Sequence, residues 1–177
     1  SFNENIDAGS AVATLSTTDE DSSDSHTYTL VSGTGDTDNS SFTIEGSNLK
    51  ISSSPDYESK SSYSVRLKTT NSGGFSYEEA IILSVNDDNE EATDIYLSAT
   101  SFNENIISGS VVATLFTTDE DAFDSHTYIL VDPWKIHNND LFTIEGNELK
   151  INFSPDYETK SRYSVRIKTT DLGGLSY

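Results

Sequence analysis

The sequence V-N-D-D-N-E-E-A-T-D at residues 85–94 ends one run of alternating apolar residues and leads into another. Seven of its ten side chains carry a carboxylate or carboxamide oxygen: Asn86, Asp87, Asp88, Asn89, Glu90, Glu91 and Asp94. No basic residue interrupts them, and charges so crowded repel one another unless a cation sits among them. Outward from this joint, the two flanks are copies of one pattern. S-F-N-E-N-I begins at Ser1 and Ser101, V-A-T-L at Val12 and Val112, and D-S-H-T-Y at Asp24 and Asp124. F-T-I-E-G begins at Phe42 and Phe142, S-P-D-Y-E at Ser54 and Ser154, and Y-S-V-R at Tyr63 and Tyr163. Helical solenoid repeats are about 20–50 residues long. A longer period means whole domains of sandwich size in tandem. The expected domains are residues 1–89 and 90–177.

Copy one reads as short strands with turns between them. Residues 11–17 and 26–31 alternate, the latter with Tyr28 and Leu30 on one face. Residues 42–44 and 49–51 flank a short glycine turn and form a hairpin. Residues 62–69 set Tyr63, Val65 and Leu67 against Ser64, Arg66 and Lys68, and Gly73-Gly74 ends the run. Residues 75–85 follow, with Ile81, Leu83 and Val85 facing in. No segment sustains a helical period. The expectation is an all-β chain of two antiparallel Greek-key sandwiches joined by a short acidic linker. Residues 92–100, a first strand of copy two, have no counterpart before Ser1. Residues 78–85 have none after Tyr177. Each domain is therefore expected to lack one edge strand, the first of domain 1 and the last of domain 2, with disorder or truncation of those strands the blander explanation and exchange between molecules the other.

The totals agree. Only 33% of the 177 residues are hydrophobic, so each core is thin, as in a sandwich that buries one face of each sheet. A net charge of −20 argues against nucleic acid or an anionic membrane as partner. With no cysteine, no disulfide braces these small domains, and a metal is the other common brace. No apolar run is long enough to span a membrane.

Acidic sites recur in both copies at loops or strand ends: Glu4 and Glu104; Asp19-Glu20-Asp21 and Asp119-Glu120-Asp121; Asp56-Tyr57-Glu58 and Asp156-Tyr157-Glu158; Asn71 and Asp171. Hard oxygen donors of this kind suit calcium or magnesium rather than zinc or copper. Calcium takes about 6–8 oxygens in flexible geometry and accepts bidentate carboxylates. In D-x-D and D-Y-E, carboxylates two residues apart share a side of an extended chain and can converge on one ion. Any single pair reads best as solvated loop acids; their recurrence at matching places points to calcium. The helical calcium loop is excluded, because Asp119-Glu120-Asp121 lacks its glycine and flanking helices. Gly33-Thr34-Gly35-Asp36 offers a single β-roll turn where that architecture needs many.

In order and spacing these motifs resemble the cadherin repeat, and within it the cadherin-like tandem domains of large bacterial surface proteins. Glu4-Asn5, Asp19-Glu20-Asp21, Asp56-Tyr57-Glu58, Thr70-Asn71 and Asp87-Asp88-Asn89-Glu90-Glu91 stand where the family has E-N, D-x-D, D-R-E, A-x-D and D-x-N-D-N. The resemblance covers essentially the whole chain. It implies calcium ions shared between consecutive domains. Glu4, Asp56, Glu58, Asp87 and Glu90 would come from domain 1, with Asn89 bridging, and Asp119, Asp121 and Asp171 from domain 2. Two partial sites are implied as well, Asp19, Asp21 and Asn71 at one end and Glu104, Asp156 and Glu158 at the other. Two departures stand out. Glu90-Glu91 replaces the linker's Asp-Asn, and Asn71 replaces the aspartate that Asp171 keeps.

The function implied is a non-catalytic, calcium-stiffened spacer in an extracellular or cell-surface adhesion protein, its partners calcium and neighbouring repeats. A rival reading is a carbohydrate-binding or homophilic adhesion module. The copies diverge most at residues 32–40 and 132–140, where copy two reads D-P-W-K-I-H-N-N-D. An exposed Trp134 would stack on a sugar ring; the favoured alternative is that it folds back as a satellite cluster. An enzyme is not expected. Ser25-His26 and Ser125-His126 are adjacent on strands and face opposite sides, so no nucleophile–base pair follows.

Overall fold

A computed structural model describes residues 1–21 and 23–177. The chain divides into two compact units, Ser1–Asp88 and Asn89–Tyr177. Every regular element among the described residues is a β-strand, apart from two single 3-10 turns, Asn39–Ser41 and Asn139–Leu141.

Unit 1 contains β1 (Phe2–Asn3), β2 (Ala11–Thr14), β3 (His26–Leu30), β4 (Phe42–Glu45), β5 (Asn48–Ile51), β6 (Ser62–Asn71) and β7 (Ser76–Asn86). One sheet runs β1-β7-β6-β3 and the other β2-β5-β4. β1 lies parallel to β7, and the other pairs are antiparallel. Strands adjacent in sequence are thus often in opposite sheets, as in a Greek-key sandwich. Period-two alternation decides which face turns inward. On β6, Tyr63, Val65 and Leu67 are buried between partly exposed neighbours, and on β7 Ile81, Leu83 and Val85 face in. Leu49, Ile51 and Val65 are fully buried, and each contributes about 1.5–3 kcal/mol. Phe42 meets Tyr63 edge to face at 5.4 Å. The β4–β5 hairpin closes through Gly46 and Ser47, with Gly46 at φ +61°, a value that disfavours any side chain.

Unit 2 contains β8 (Asp94–Leu97), β9 (Val111–Thr118), β10 (Thr127–Leu130), β11 (Phe142–Glu145), β12 (Glu148–Ile151) and β13 (Ile167–Thr170). One sheet runs β11-β12-β9-β8, and β10 pairs with β13. Its core gathers Phe142, Leu149 and Ile151 in the places of Phe42, Leu49 and Ile51.

The ladders explain two departures from the alternation. The expected strand over residues 11–17 stops at Thr14, whereas its counterpart β9 continues to Thr118. β8 hydrogen-bonds residues 115–118, and residues 15–18 have no such partner strand among the described residues. Likewise β6 keeps ten residues because β7 pairs along it, while β13 keeps four. Strand length follows the partner here, because the local sequence is nearly the same in both copies.

Candidate metal centres

In unit 1 the chain leaving β1 turns sharply at Asn5, with φ +56°. This turn sends the Glu4 side chain into the unit, where it is 2% exposed. Its Oε2 accepts the Tyr57 N–H at 2.6 Å, and its Oε1 accepts the Asp88 N–H at 2.8 Å. One carboxylate therefore ties together the strand entry, the D-Y-E turn and the end of β7. Around it, one oxygen each of Glu4, Glu58 and Asp87 lies within 4.8 Å of the others. These donors are all carboxylate oxygens, and such a set fits a hard cation such as calcium.

Asp56 is placed differently from the expectation of two carboxylates on one side of an extended chain. Residues 57–59 form a turn. Asp56 caps it, accepting the Ser59 N–H at 2.9 Å and the Ser59 hydroxyl at 2.8 Å. Those bonds from Ser59 hold its carboxyl below the ordinary range. In unit 2 the matching turn brings Asp156, Glu158 and Glu104 together, all exposed. Glu104 accepts the Tyr157 N–H at 2.9 Å, as Glu4 does that of Tyr57.

At the other end of unit 1, Asp19, Asp21 and Asp24 bring their oxygens together. Asp19 accepts the Asp21 N–H at 3.0 Å and lies 3.0 Å from His26 Nε2. The bond from Asp21 and then that from His26 lower its pKa. Asn71 donates to Asp24 at 2.8 Å and accepts the Phe75 N–H.

Unit 2 repeats this arrangement with more carboxylates engaged. Asp119 accepts the Asp121 N–H at 3.2 Å and lies 2.8 Å from His126 Nε2. Asp121 accepts the Glu90 N–H at 3.0 Å, and Asp171 accepts the Asn89 side-chain amide at 3.0 Å. The acidic stretch thus begins unit 2 by settling onto two of the predicted ligands. Burial pushes the Asp171 carboxyl up, but the bonds from Asn89, Leu175 and Gly174, with the charge of His126, hold it below the usual range. Asp124 joins Asp119 and His126 in a close group.

Sequence reasoning missed two kinds of participant. Asp24 and Asp124 belong to the acidic groups, and His26 and His126 contact them. The signal was present in D-S-H, which recurs at the same place in both copies. An imidazole in the Asp119 group departs from an oxygen-only set, but its Nε2 is engaged by Asp119. Oxygens of Asp119 and Asp124 are the hard donors of that group, and those of Asp121 and Asp171 lie outside it.

Trp134 also departs from the expected satellite cluster. It is 66% exposed, and the Arg166 guanidinium lies 5.3 Å from its ring centroid. The loop is held instead by Asp132, which accepts the N–H groups of Ile136 and His137.

No protein-family model matches the chain, and no curated protein matches it. Solved structures do. Human protocadherin-24 EC1-2 superposes with a TM-score of 0.72 at 23% identity, covering 98% of this chain and 82% of that one. Protocadherin gamma B7 extracellular cadherin domains 1–4 give a TM-score of 0.67 at 23% identity over 99% of this chain. The fragment PcdhgB3 EC1-4 gives 0.68 at 21% identity. The chain spans 44% of the length of each of the latter two. The fold is therefore that of cadherin extracellular domains, two in tandem.

Proposed function

We propose that this chain is a non-catalytic tandem cadherin-like module, divided near residue 89, that binds calcium and serves as a spacer in an extracellular adhesion protein. The carrying observation is the all-carboxylate group of Glu4, Glu58 and Asp87, fixed by backbone hydrogen bonds to Glu4. Asn89 and Glu90, with Asp119, Asp121 and Asp171, would supply the remaining donors of shared ions. Asp56 would join by releasing Ser59. Asp19, Asp21, Asp24 and Asn71, and Glu104, Asp156 and Glu158, would form partial sites.

Bound calcium supplies the positive charge that these acids lack. The residues do the rest. Glu4 holds the D-Y-E turn against the end of β7. Asp121 and Asp171 hold Glu90 and Asn89 in place. Extracellular sites of this kind bind at about 10⁻⁴–10⁻³ M. At calcium about tenfold above that constant, each site adds about 1.4 kcal/mol. That is small for a folded core and large for a linker whose competing state is only bending. Near-copied repeats suit a stalk, because repetition supplies length. Neighbouring repeats are then the immediate partners, and the setting is extracellular or at a cell surface.

Small-angle scattering with calcium and with chelator tests this. The expected result is a stiffer, longer particle in calcium, with unchanged strand content by circular dichroism. Identical profiles refute it. A second reading, a carbohydrate-binding module, is favoured by the exposure of Trp134. Glycan binding that Trp134→Ala abolishes would promote it.

A further inference from the structure

The loop between β10 and β11 is where the two copies differ most, and it holds the chain's one Asp-Pro bond, Asp132–Pro133. The remaining prolines, Pro55 and Pro155, follow serine. Pro133 and Trp134 form the centre of a turn, and Lys135 leaves it at φ +52°, a value uncommon for any residue but glycine. Successive N–H groups of this turn point back at one residue, an arrangement that suits negative charge. Lys135 N–H donates to the Asp132 main-chain carbonyl at 3.2 Å, Ile136 N–H to Asp132 Oδ1 at 3.1 Å and His137 N–H to Asp132 Oδ2 at 2.8 Å. The His137 ring completes the group, its Nδ1 3.2 Å from Asp132 Oδ1. Every one of these contacts lies within residues 132–137.

Each of these groups has a chemical use at an Asp-Pro bond. An aspartate carboxylate reaches its own main-chain carbonyl carbon by closing a succinic anhydride ring, and well-oriented intramolecular attack has an effective molarity of about 10⁵–10⁸ M. The bond to proline is a tertiary amide, and its nitrogen leaves as a secondary amine once it gains a proton. The Lys135 N–H meets the charge that develops on the attacked carbonyl oxygen. An imidazole beside the bond supplies the proton. Burial would raise the Asp132 carboxyl, but the N–H and ring of His137 and the N–H of Ile136 hold it below the usual range. Histidine changes charge between about pH 5 and 8, so mild acid provides an ionised nucleophile and a proton donor together. Pro133 is exposed, so water reaches the bond. The other charged side chains of the loop are Lys135 and Asp140, and Arg166 packs on it from outside, 5.3 Å from the Trp134 ring centroid.

We propose that unit 2 cuts its own backbone at Asp132–Pro133, in a single turnover, in mild acid. A carboxylate oxygen of Asp132 bonds to the main-chain carbonyl carbon of the same residue. The C–N bond to Pro133 breaks, its electron pair stays on the proline nitrogen, and that nitrogen takes the proton from His137 Nδ1. The products are a cyclic anhydride at Asp132 and a new amino terminus at Pro133. Water opens the anhydride by adding its oxygen to one carbonyl carbon. Two carboxylates form, and the two protons released go to His137 and to the new amine. The net reaction is hydrolysis of one peptide bond, with no oxidant, reductant or cofactor. β8, β9 and β10 precede the cut and β11, β12 and β13 follow it, so the β9–β12 and β10–β13 ladders hold the pieces together. Unit 1 has Ser32, Gly33 and Thr37 in the places of Asp132, Pro133 and His137, and lacks the nucleophile, the leaving group and the acid.

The test is incubation of the purified full chain at about pH 5 and about pH 8, followed by intact mass. Fragments of residues 1–132 and 133–177 are expected, forming faster at the lower pH. Hydroxylamine should trap the anhydride as a hydroxamate on Asp132, a product that a contaminating protease does not give. A synthetic peptide of residues 129–139 measures the lability that the bond has without the fold, and the folded chain should cut at least about tenfold faster. Asp132→Ala should abolish cutting. His137→Gln should slow it by about 10²-fold or more, with the parent's circular dichroism retained. A chain that stays intact in mild acid, a rate no faster than the peptide's, or a folded His137→Gln variant that cuts at the parent's rate overturns the proposal.

Discussion

Glu4 Oε1 accepts the backbone N–H of Asp88 at 2.8 Å, across 84 residues of chain. The same carboxylate accepts the Tyr57 N–H, and both bonds sit where Glu4 is almost fully buried. Glu4→Ala removes both acceptors at once. It should destabilise unit 1 by about 1–3 kcal/mol even in chelator, the usual cost of stranding buried donors. Glu104→Ala, at an exposed position, should cost about 1 kcal/mol or less. Urea unfolding of both variants in chelator measures the difference. Equal losses would mean that the burial of the two bonds to Glu4 adds nothing to stability.

Leu15 and Leu115 share a local sequence but not an environment, since Leu115 is fully buried and Leu15 is not. Leu115→Ala should cost about 2–5 kcal/mol. Leu15→Ala should cost less by about 1 kcal/mol or more, because part of that side chain already meets water. Residue-resolved hydrogen exchange reads each unit separately.

Much of this was legible from residue order. Alternation on β6 and β7 gave the inward faces, and the recurrence of whole motifs gave two sandwiches of one kind. What resisted reading was whatever depends on a partner distant in sequence. Residues 15–18 and 115–118 have nearly the same local pattern, but only the second pair with a strand, and no local rule distinguishes them. Asp56 and Glu58 were paired by an extended-chain argument, but the segment after the proline is a turn, in which the Asp56 carboxylate accepts from Ser59. His26 and His126 looked like ordinary strand starts. Their position opposite Asp19 and Asp119 arises only when β3 and β10 fold back past the D-E-D loops.

Asn71 and Asp171 are the clearest charge difference between the two units near their D-E-D loops. Asn71 donates to Asp24 at 2.8 Å, a bond that a carboxylate cannot make. In chelator, Asn71→Asp should therefore lower the stability of unit 1 by about 1 kcal/mol, through the lost bond and a repelling pair in a solvated site. In millimolar calcium the sign should reverse, since the added carboxylate is a further hard ligand. Thermal unfolding under the two conditions checks the crossover. A variant less stable than the parent in both would argue against a metal at that end.

Asp38 predicts a pH dependence found only in unit 1. Burial would raise its pKa, but the ion pair with Lys60 and the N–H of Ser64 outweigh it and hold the carboxyl below the ordinary value. A carboxyl with a lowered folded pKa stabilises above its unfolded value, near 3.9, and the contribution fades as pH falls through the folded one. In unit 2 Asn138 takes this place and accepts the Ser164 N–H at 3.2 Å without titrating. Asp38→Asn should therefore flatten the acid limb of unit 1 stability while leaving that of unit 2 alone. Residue-resolved unfolding between neutral pH and pH 3 reads both limbs from one sample.

Trp134 is the only tryptophan, so its emission reports one place. It is 66% exposed, with Arg166 against its ring. Its fluorescence should be red-shifted and readily quenched by acrylamide, the opposite of what a folded-back satellite cluster would give. Arg166→Ala removes a contact worth about 0.5–1 kcal/mol at an exposed site, and should increase quenching further with little loss of global stability. If Trp134 also binds sugar, glycan should protect it from acrylamide in the parent chain. Chelator should not abolish that protection, since Asp132 holds the loop through hydrogen bonds alone. Blue-shifted, poorly quenched emission in the free chain would rule out the open ring that carbohydrate stacking requires.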